Sequence, residues 1–164
     1  DAVGFAHSQG VLHRDLKPEN VLLSRYRHWR IADFGIASAL GDDRTGSSGT
    51  PAFAPPEQLL GEPQGVAADL FAVAAIACFA LTGHPPYEGV DGRAILARQL
   101  TGKPNLSGVP AELRSWFKRS LSVDPDHRFA DASEMREAWN EAVEPLIDDH
   151  AGRPFAERIR QLFR

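Results

Sequence analysis

The chain has one cysteine, one methionine and two tyrosines, and neither sign of charge dominates it. A lone thiol, Cys78, can form no internal disulfide and fits a reducing compartment. A formal net charge of −4 gives no support to a nucleic-acid or anionic-membrane partner. Long hydrophobic runs are scarce as well. The longest, Val66–Thr82, is interrupted by Asp69, and the remainder from Leu70 is shorter than the ~20 residues that cross a bilayer. No repeat or low-complexity tract occurs, and the opening residues carry no signal- or transit-peptide pattern. What is present is the balance of a globular domain: 164 residues, 43% apolar and 24% charged, enough to bury a real core.

The order of elements is read from periodicity and punctuation. Val3, Phe5 and Ala6 ahead of Gly10 suit the last turns of a helix stopped by glycine. "NVLLS" and "WRIADF", separated by polar "RYRH", predict a small β-hairpin. From Gly35 to Gly65 the composition turns to Gly, Ser, Thr, Pro and Asp, which predicts a long shaped loop. "VAADLFAVAAIACFALT" (66–82) is apolar nearly all round and predicts the central buried helix. Three more helices are expected at about 92–101, 110–121 and 131–144. Pro110 suits a first helical turn, and Asp131 with Glu134 has the spacing of a capping box. An amphipathic tail closes the chain, with Phe155, Ile159, Leu162 and Phe163 on one side. The domain boundaries that follow are 1–144 and a tail at 145–164.

One stretch, "GVLHRDLKPENVLL" (10–23), packs polar groups between two short apolar runs. Phosphoryl transfer needs a carboxylate to orient and deprotonate a hydroxyl, oxygen ligands for Mg²⁺, and a cation to offset charge on the phosphoryl group. Asp15 can be the base, Lys17 the cation and Asn20 a neutral oxygen ligand. Asp33 ends the second run of the hairpin, so the chain returns it beside Asn20, where both can hold metal.

"HRDLKPEN" and "DFG" resemble the catalytic and metal-binding loops of eukaryotic-like protein kinases. The resemblance covers residues 1 to about 144, and "DFGIA" with "GTPAFAPPEQ" is most similar to bacterial-type serine/threonine kinases. It implies a mainly α fold with one small β-hairpin, the large C-terminal lobe of a kinase. It also implies ATP as co-substrate, Mg²⁺ as cofactor, protein substrates and a cytoplasmic setting. Lys17, Glu19, Asn20 and Asp33 become the nucleotide-contacting set, with Asp15 and Lys17 catalytic. Arg14 is implied to bind a phosphate on the activation segment, for which Thr45, Ser47 and Ser48 are the candidate acceptors. Thr50 is implied to bond near Asp15 and Lys17. Glu57, in the triplet Pro55-Pro56-Glu57, is implied to pair with Arg128, and Asp69 to hold the catalytic-loop backbone. His13 is implied to pack rather than react. Cys78 is read as a core residue, and His7, His28, His84, His127 and His150 as structural or exposed.

The sequence departs from the family pattern in places. Pro55 stands where the family has alanine, and Ala74 where the buried helix usually carries glycine. No G-x-G-x-x-G loop or V-A-I-K strand precedes Gly10. The small N-terminal lobe that grips the nucleotide is therefore expected upstream, in a longer parent protein, and the chain alone is expected to bind ATP weakly and catalyse poorly. The other reading of the same pattern is a non-catalytic binding or scaffold module.

Overall fold

A computed structural model describes residues 2–26, 28–34 and 51–148. Helix α1 (Ala2–Ser8) leads through a 3₁₀ turn at Pro18–Asn20 into strands β1 (Val21–Leu23) and β2 (Trp29–Ile31). A second 3₁₀ turn, Pro51–Phe53, is followed by α2 (Pro56–Leu60), α3 (Val66–Thr82), α4 (Gly92–Gln99), α5 (Arg114–Ser120) and α6 (Ala132–Asp148). The architecture is mainly helical with one antiparallel hairpin.

Helix α1 ends as its sequence suggests. Gly10 takes a left-handed φ of 73°, its N–H donates to His7 O, and Val11 N–H donates to Ala6 O. That double closure satisfies two orphan carbonyls and needs a residue without a Cβ penalty. It turns the chain straight into the polar loop.

The central helix α3 spans the predicted residues. Phe71, Ala74, Ala75 and Cys78 have no exposed surface, and the alanines let neighbouring helices approach closely. Against it lies an aromatic cluster: Trp116 stands edge-on to Phe117 at 4.9 Å and to Trp139 at 4.8 Å. Its indole N–H donates to Met135 O at 2.9 Å, so the ring's one polar atom is satisfied. A second, smaller apolar cluster joins Val3, Leu16 and Ala72, with Ile31 and Ile76 packed against it. That cluster docks α1, the polar loop and the hairpin onto α3.

Some elements differ from expectation. The stretch 51–65 is not loop throughout: α2 forms there, with Pro56 in its first turn. Pro110 precedes a 3₁₀ turn, Ala111–Leu113, rather than opening the α-helix, which starts at Arg114. Helix α6 runs past 144 to Asp148 with Pro145 inside it. Asp131 caps α6 through Ser133 N–H and Glu134 N–H, but Glu134 reaches back to Ala130 N–H rather than to Asp131. Hydrogen bonds to Ala130 N–H and Arg119 lower the Glu134 pKa. No helix among the described residues is long and apolar enough to cross a membrane. The expected tail residues Phe155, Ile159, Leu162 and Phe163 lie outside the described residues.

Candidate active site

The loop 11–17 hangs from one buried carboxylate. Asp69, 2% exposed in the first turn of α3, accepts His13 N–H on Oδ2 and Arg14 N–H on Oδ1, each at 2.8 Å. A third partner, His7 Nε2 on α1, lies 2.8 Å from Oδ2. A carboxylate in an apolar helix would be costly alone; here both oxygens are engaged. The staple matters because Arg14 sits at φ 65°, a left-handed conformation unfavourable for a residue with a Cβ.

Below Asp69 the frame is tied a second time. Arg128 donates from Nη1 and Nη2 to the two oxygens of Glu57 at 2.7 and 2.8 Å. Its other N–H groups reach Ala67 O, Val123 O and Ser122 O, so all five guanidinium donors are used. The guanidinium also lies over Phe71, 4.9 Å from the ring centroid. Glu57 lies in the first turn of α2, so this pair fixes the end of the segment that returns to the loop. Gln58, its neighbour, donates to Arg14 O at 3.0 Å.

His13 stitches the loop to the hairpin. Its buried ring donates from Nε2 to Ala32 O at 2.8 Å and lies 4.8 Å from the Phe34 ring. The hairpin register pairs Val21 with Ile31, Leu22 with Arg30 and Leu23 with Trp29. One step beyond, Ala32 N–H donates to Asn20 O at 2.9 Å. The register thus brings the backbone next to Asp33 alongside Asn20. Asp33 too has a positive φ, 60°.

The groups with chemistry face outward on this support. Lys17 Nζ donates to Asp15 Oδ2 at 2.7 Å, and Asp15 is 49% exposed. That hydrogen bond raises the Lys17 pKa against the opposing effect of burial, with the charges of Asp15, Glu19 and Asp33 adding to it. Asn20, 5% exposed, donates its amide nitrogen to Asp15 O at 2.9 Å, which leaves its oxygen for another partner. An amide oxygen and an exposed carboxylate are hard donors of the kind that suit Mg²⁺. Glu19 is exposed beside them.

Asp15, Lys17, Asn20 and the hairpin end at Asp33 therefore form one cluster, while Glu57, Asp69 and Arg128 lie beneath it as support. Arg14 presents its backbone to Asp69 and Gln58, with its side chain exposed. Thr45, Ser47, Ser48 and Thr50 lie outside the described residues. Sequence reasoning missed Gln58 and read His7 as structural or exposed without its partner. His7 stands 62 positions from Asp69, and nothing in its spacing announces the contact.

The protein kinase domain family matches residues 1–141. The chain is 33% identical over 159 residues to serine/threonine-protein kinase PknH of Mycobacterium bovis, covering 92% of this chain and 27% of that protein. It is 36% identical over 145 residues to serine/threonine-protein kinase PknK of Mycobacterium tuberculosis, covering 83% and 13%. It is 33% identical over 148 residues to serine/threonine-protein kinase PknB of Mycolicibacterium smegmatis, covering 82% and 23%. The chain thus spans roughly a quarter or less of the length of these curated relatives. It belongs to the protein kinase family, in its bacterial serine/threonine type.

Proposed function

We propose that this member of the protein kinase family is the large lobe of a serine/threonine kinase, and that its parent protein transfers the γ-phosphoryl group of ATP to protein hydroxyls. The observation that carries the reading is the shared support of Asp15, Lys17 and Asn20. All three sit on one loop whose backbone is held by Asp69, and the hairpin register returns the chain to Asp33 beside Asn20.

In this reading Asp15 accepts the proton of a serine or threonine hydroxyl as that oxygen bonds to the γ-phosphorus. The bond from phosphorus to the bridging oxygen breaks and ADP leaves. Lys17, now paired with Asp15, spans the base and the transferring phosphoryl group and offsets its charge. Asn20 and Asp33 hold Mg²⁺, which screens the phosphate oxygens when bound, and Glu19 borders the nucleotide. Arg14 pairs with a phosphate carried on Thr45, Ser47 or Ser48, and Thr50 bonds near Asp15 and Lys17.

A second lobe covering the hairpin is part of the proposal. Leu22 and Leu23 are 50% and 53% exposed, and a two-stranded hairpin of three-residue strands is marginal alone. We read the kinase lobe as 1–144 with a tail beyond, although α6 itself continues to Asp148. A cytoplasmic setting, where ATP is supplied, is part of the same proposal.

The test is Mg²⁺- and ATP-dependent phosphate transfer to serine and threonine peptides by the full-length protein, compared with Asp15→Asn. A loss of about 10²–10⁴-fold is expected. Equal rates for the two proteins would remove Asp15 as the base, and no transfer by the unaltered protein would favour the scaffold reading.

A further inference from the structure

Gln99, the last residue of α4, is completely buried. Its Nε2 donates to Ala54 O at 2.8 Å across 45 positions of sequence, while Oε1 is buried without a partner among the described residues. An amide oxygen buried unpaired is unfavourable, so apolar packing alone is a poor reason for glutamine here. What the side chain supplies is the N–H that Ala54 receives.

The helix that carries it is pressed onto the same segment. A Cβ at Gly89 would lie 2.8 Å from Ile95 N and 2.9 Å from Ile95 Cγ1, so only glycine lets the preceding turn close over α4. Asp91 caps the helix through Ala94 N–H at 2.8 Å. A Cβ at Gly92 would meet Pro51 and Leu59 at 3.8 and 3.9 Å. Helix α4 therefore touches the 51–60 segment at both its ends, through packing at Gly92 and through a hydrogen bond at Gln99. That segment in turn reaches the loop, because Gln58 donates to Arg14 O one residue before Asp15.

We infer that Gln99 is a positioning residue for the protein substrate. Through Ala54 it sets where the 51–58 segment stands relative to Asp15. The inference rests on the phosphoryl-transfer reading above. Asn20 and Asp33 belong to the hairpin side, which is held through His13 and Asp69; Asn20 also donates to Asp15 O, and among the described residues no hydrogen bond joins that side directly to α4. The hydroxyl acceptor approaches Asp15 from outside that set, and the 51–58 segment is the other wall tied to the loop. Gln99 thus acts on the fit of the peptide and leaves the nucleotide side alone.

Gln99→Met in the full-length protein removes the donor at nearly constant length. The KM for a serine or threonine peptide should rise about tenfold, the scale of one lost buried hydrogen bond, with the KM for ATP steady within about twofold. Amide exchange should quicken across 52–60 and stay unchanged in α3. Gln99→Glu supplies a second handle, since a carboxyl donates to Ala54 O only when protonated. Its peptide KM and its exchange at 52–60 should move back toward wild type as pH falls. An unchanged peptide KM, parallel rises for peptide and ATP, or exchange spread evenly along the chain overturns the inference. Should the Met variant not fold, a Glu variant without that pH response overturns it equally. Failure of the phosphoryl-transfer reading is seen in the unaltered protein, and failure of this inference only in the variants.

Discussion

Beneath α3, Arg128 is 3% exposed and has every N–H bonded, whereas above it the Asp15 side chain is 49% exposed and, among the described residues, its carboxylate has one partner, Lys17, on one oxygen. Both regions are rich in charge, yet they use it differently. In the floor the Arg128 guanidinium donates to the Glu57 carboxylate and to three fixed carbonyls, so charge serves architecture and every guanidinium donor is taken. At the loop the carboxylates and the Asn20 oxygen keep capacity for a ligand. The loop also carries two residues with positive φ, Arg14 and Asp33, each costing about 1–2 kcal/mol in an L-residue. Asp69 joins the regions: buried like the floor, it spends its oxygens on the strained backbone of the loop. The two uses of charge are thereby kept on different segments of the chain that meet at Asp69, and the separation can be broken from either side.

The hardest break is in the floor. Arg128→Ala should lower unfolding free energy by about 3–5 kcal/mol, because it strands a buried carboxylate and three carbonyls. Chemical denaturation measures it, and a loss under about 1 kcal/mol would mean that the floor is not built on this pair. Next comes the joint. Asp69→Asn keeps one oxygen but turns an NH₂ group toward a backbone N–H, at a cost of about 1–3 kcal/mol. Amide exchange should report the damage at His13 and Arg14 before it appears in the aromatic cluster.

Alkaline pH tests the buried core without mutation. Burial raises the Cys78 thiol from 9.0 to about 11 and the Tyr87 phenol from 10.0 to about 12. Both folded values lie above the unfolded ones, so the folded state favours the protonated forms. Their stabilising contribution is complete below pH 9 and is lost as pH rises, through about 11 for Cys78 and about 12 for Tyr87. Denaturation midpoints should fall across that window, and Cys78→Ala should flatten its lower part. Least of all should follow from the loop face. Leu22→Ser and Asp15→Asn should each change stability of this chain by no more than about 0.5 kcal/mol, even where Asp15→Asn abolishes transfer. A large stability loss from Asp15→Asn would collapse the contrast between the two regions.

Much of this was legible in the residues. An all-round apolar run that Asp69 interrupts and that is short for a bilayer reads as a buried helix rather than a membrane span, and α3 spans the residues expected of it. The hairpin was readable from two β-like runs, although its strands are three residues each: Ala32 still bonds Asn20 O, and the chain turns away at Asp33, where φ is 60°. Helix α2 was hidden in a stretch rich in proline and glycine, where a helix start at Pro56 looks like loop composition. The candidate chemical residues stood out because the phosphoryl transfer proposed for them demands particular side chains at close spacing. Their supports were harder to read, since Gln99 and Ala54, or His7 and Asp69, meet only after the helices pack.

By itself the sequence determined the local terms: which segments bury a face, where glycine ends a helix, and which short loop holds a carboxylate, a cation and an amide together. Those depend on side-chain chemistry and near-neighbour spacing. The family resemblance implied Asp69 on the loop backbone and Arg128 on Glu57, as the hydrogen bonds have it; tertiary structure alone decided that His7 joins Asp69 and that Gln99 holds Ala54. A buried polar group must find its partner wherever packing leaves one, and that position is set by the whole fold rather than by distance along the chain.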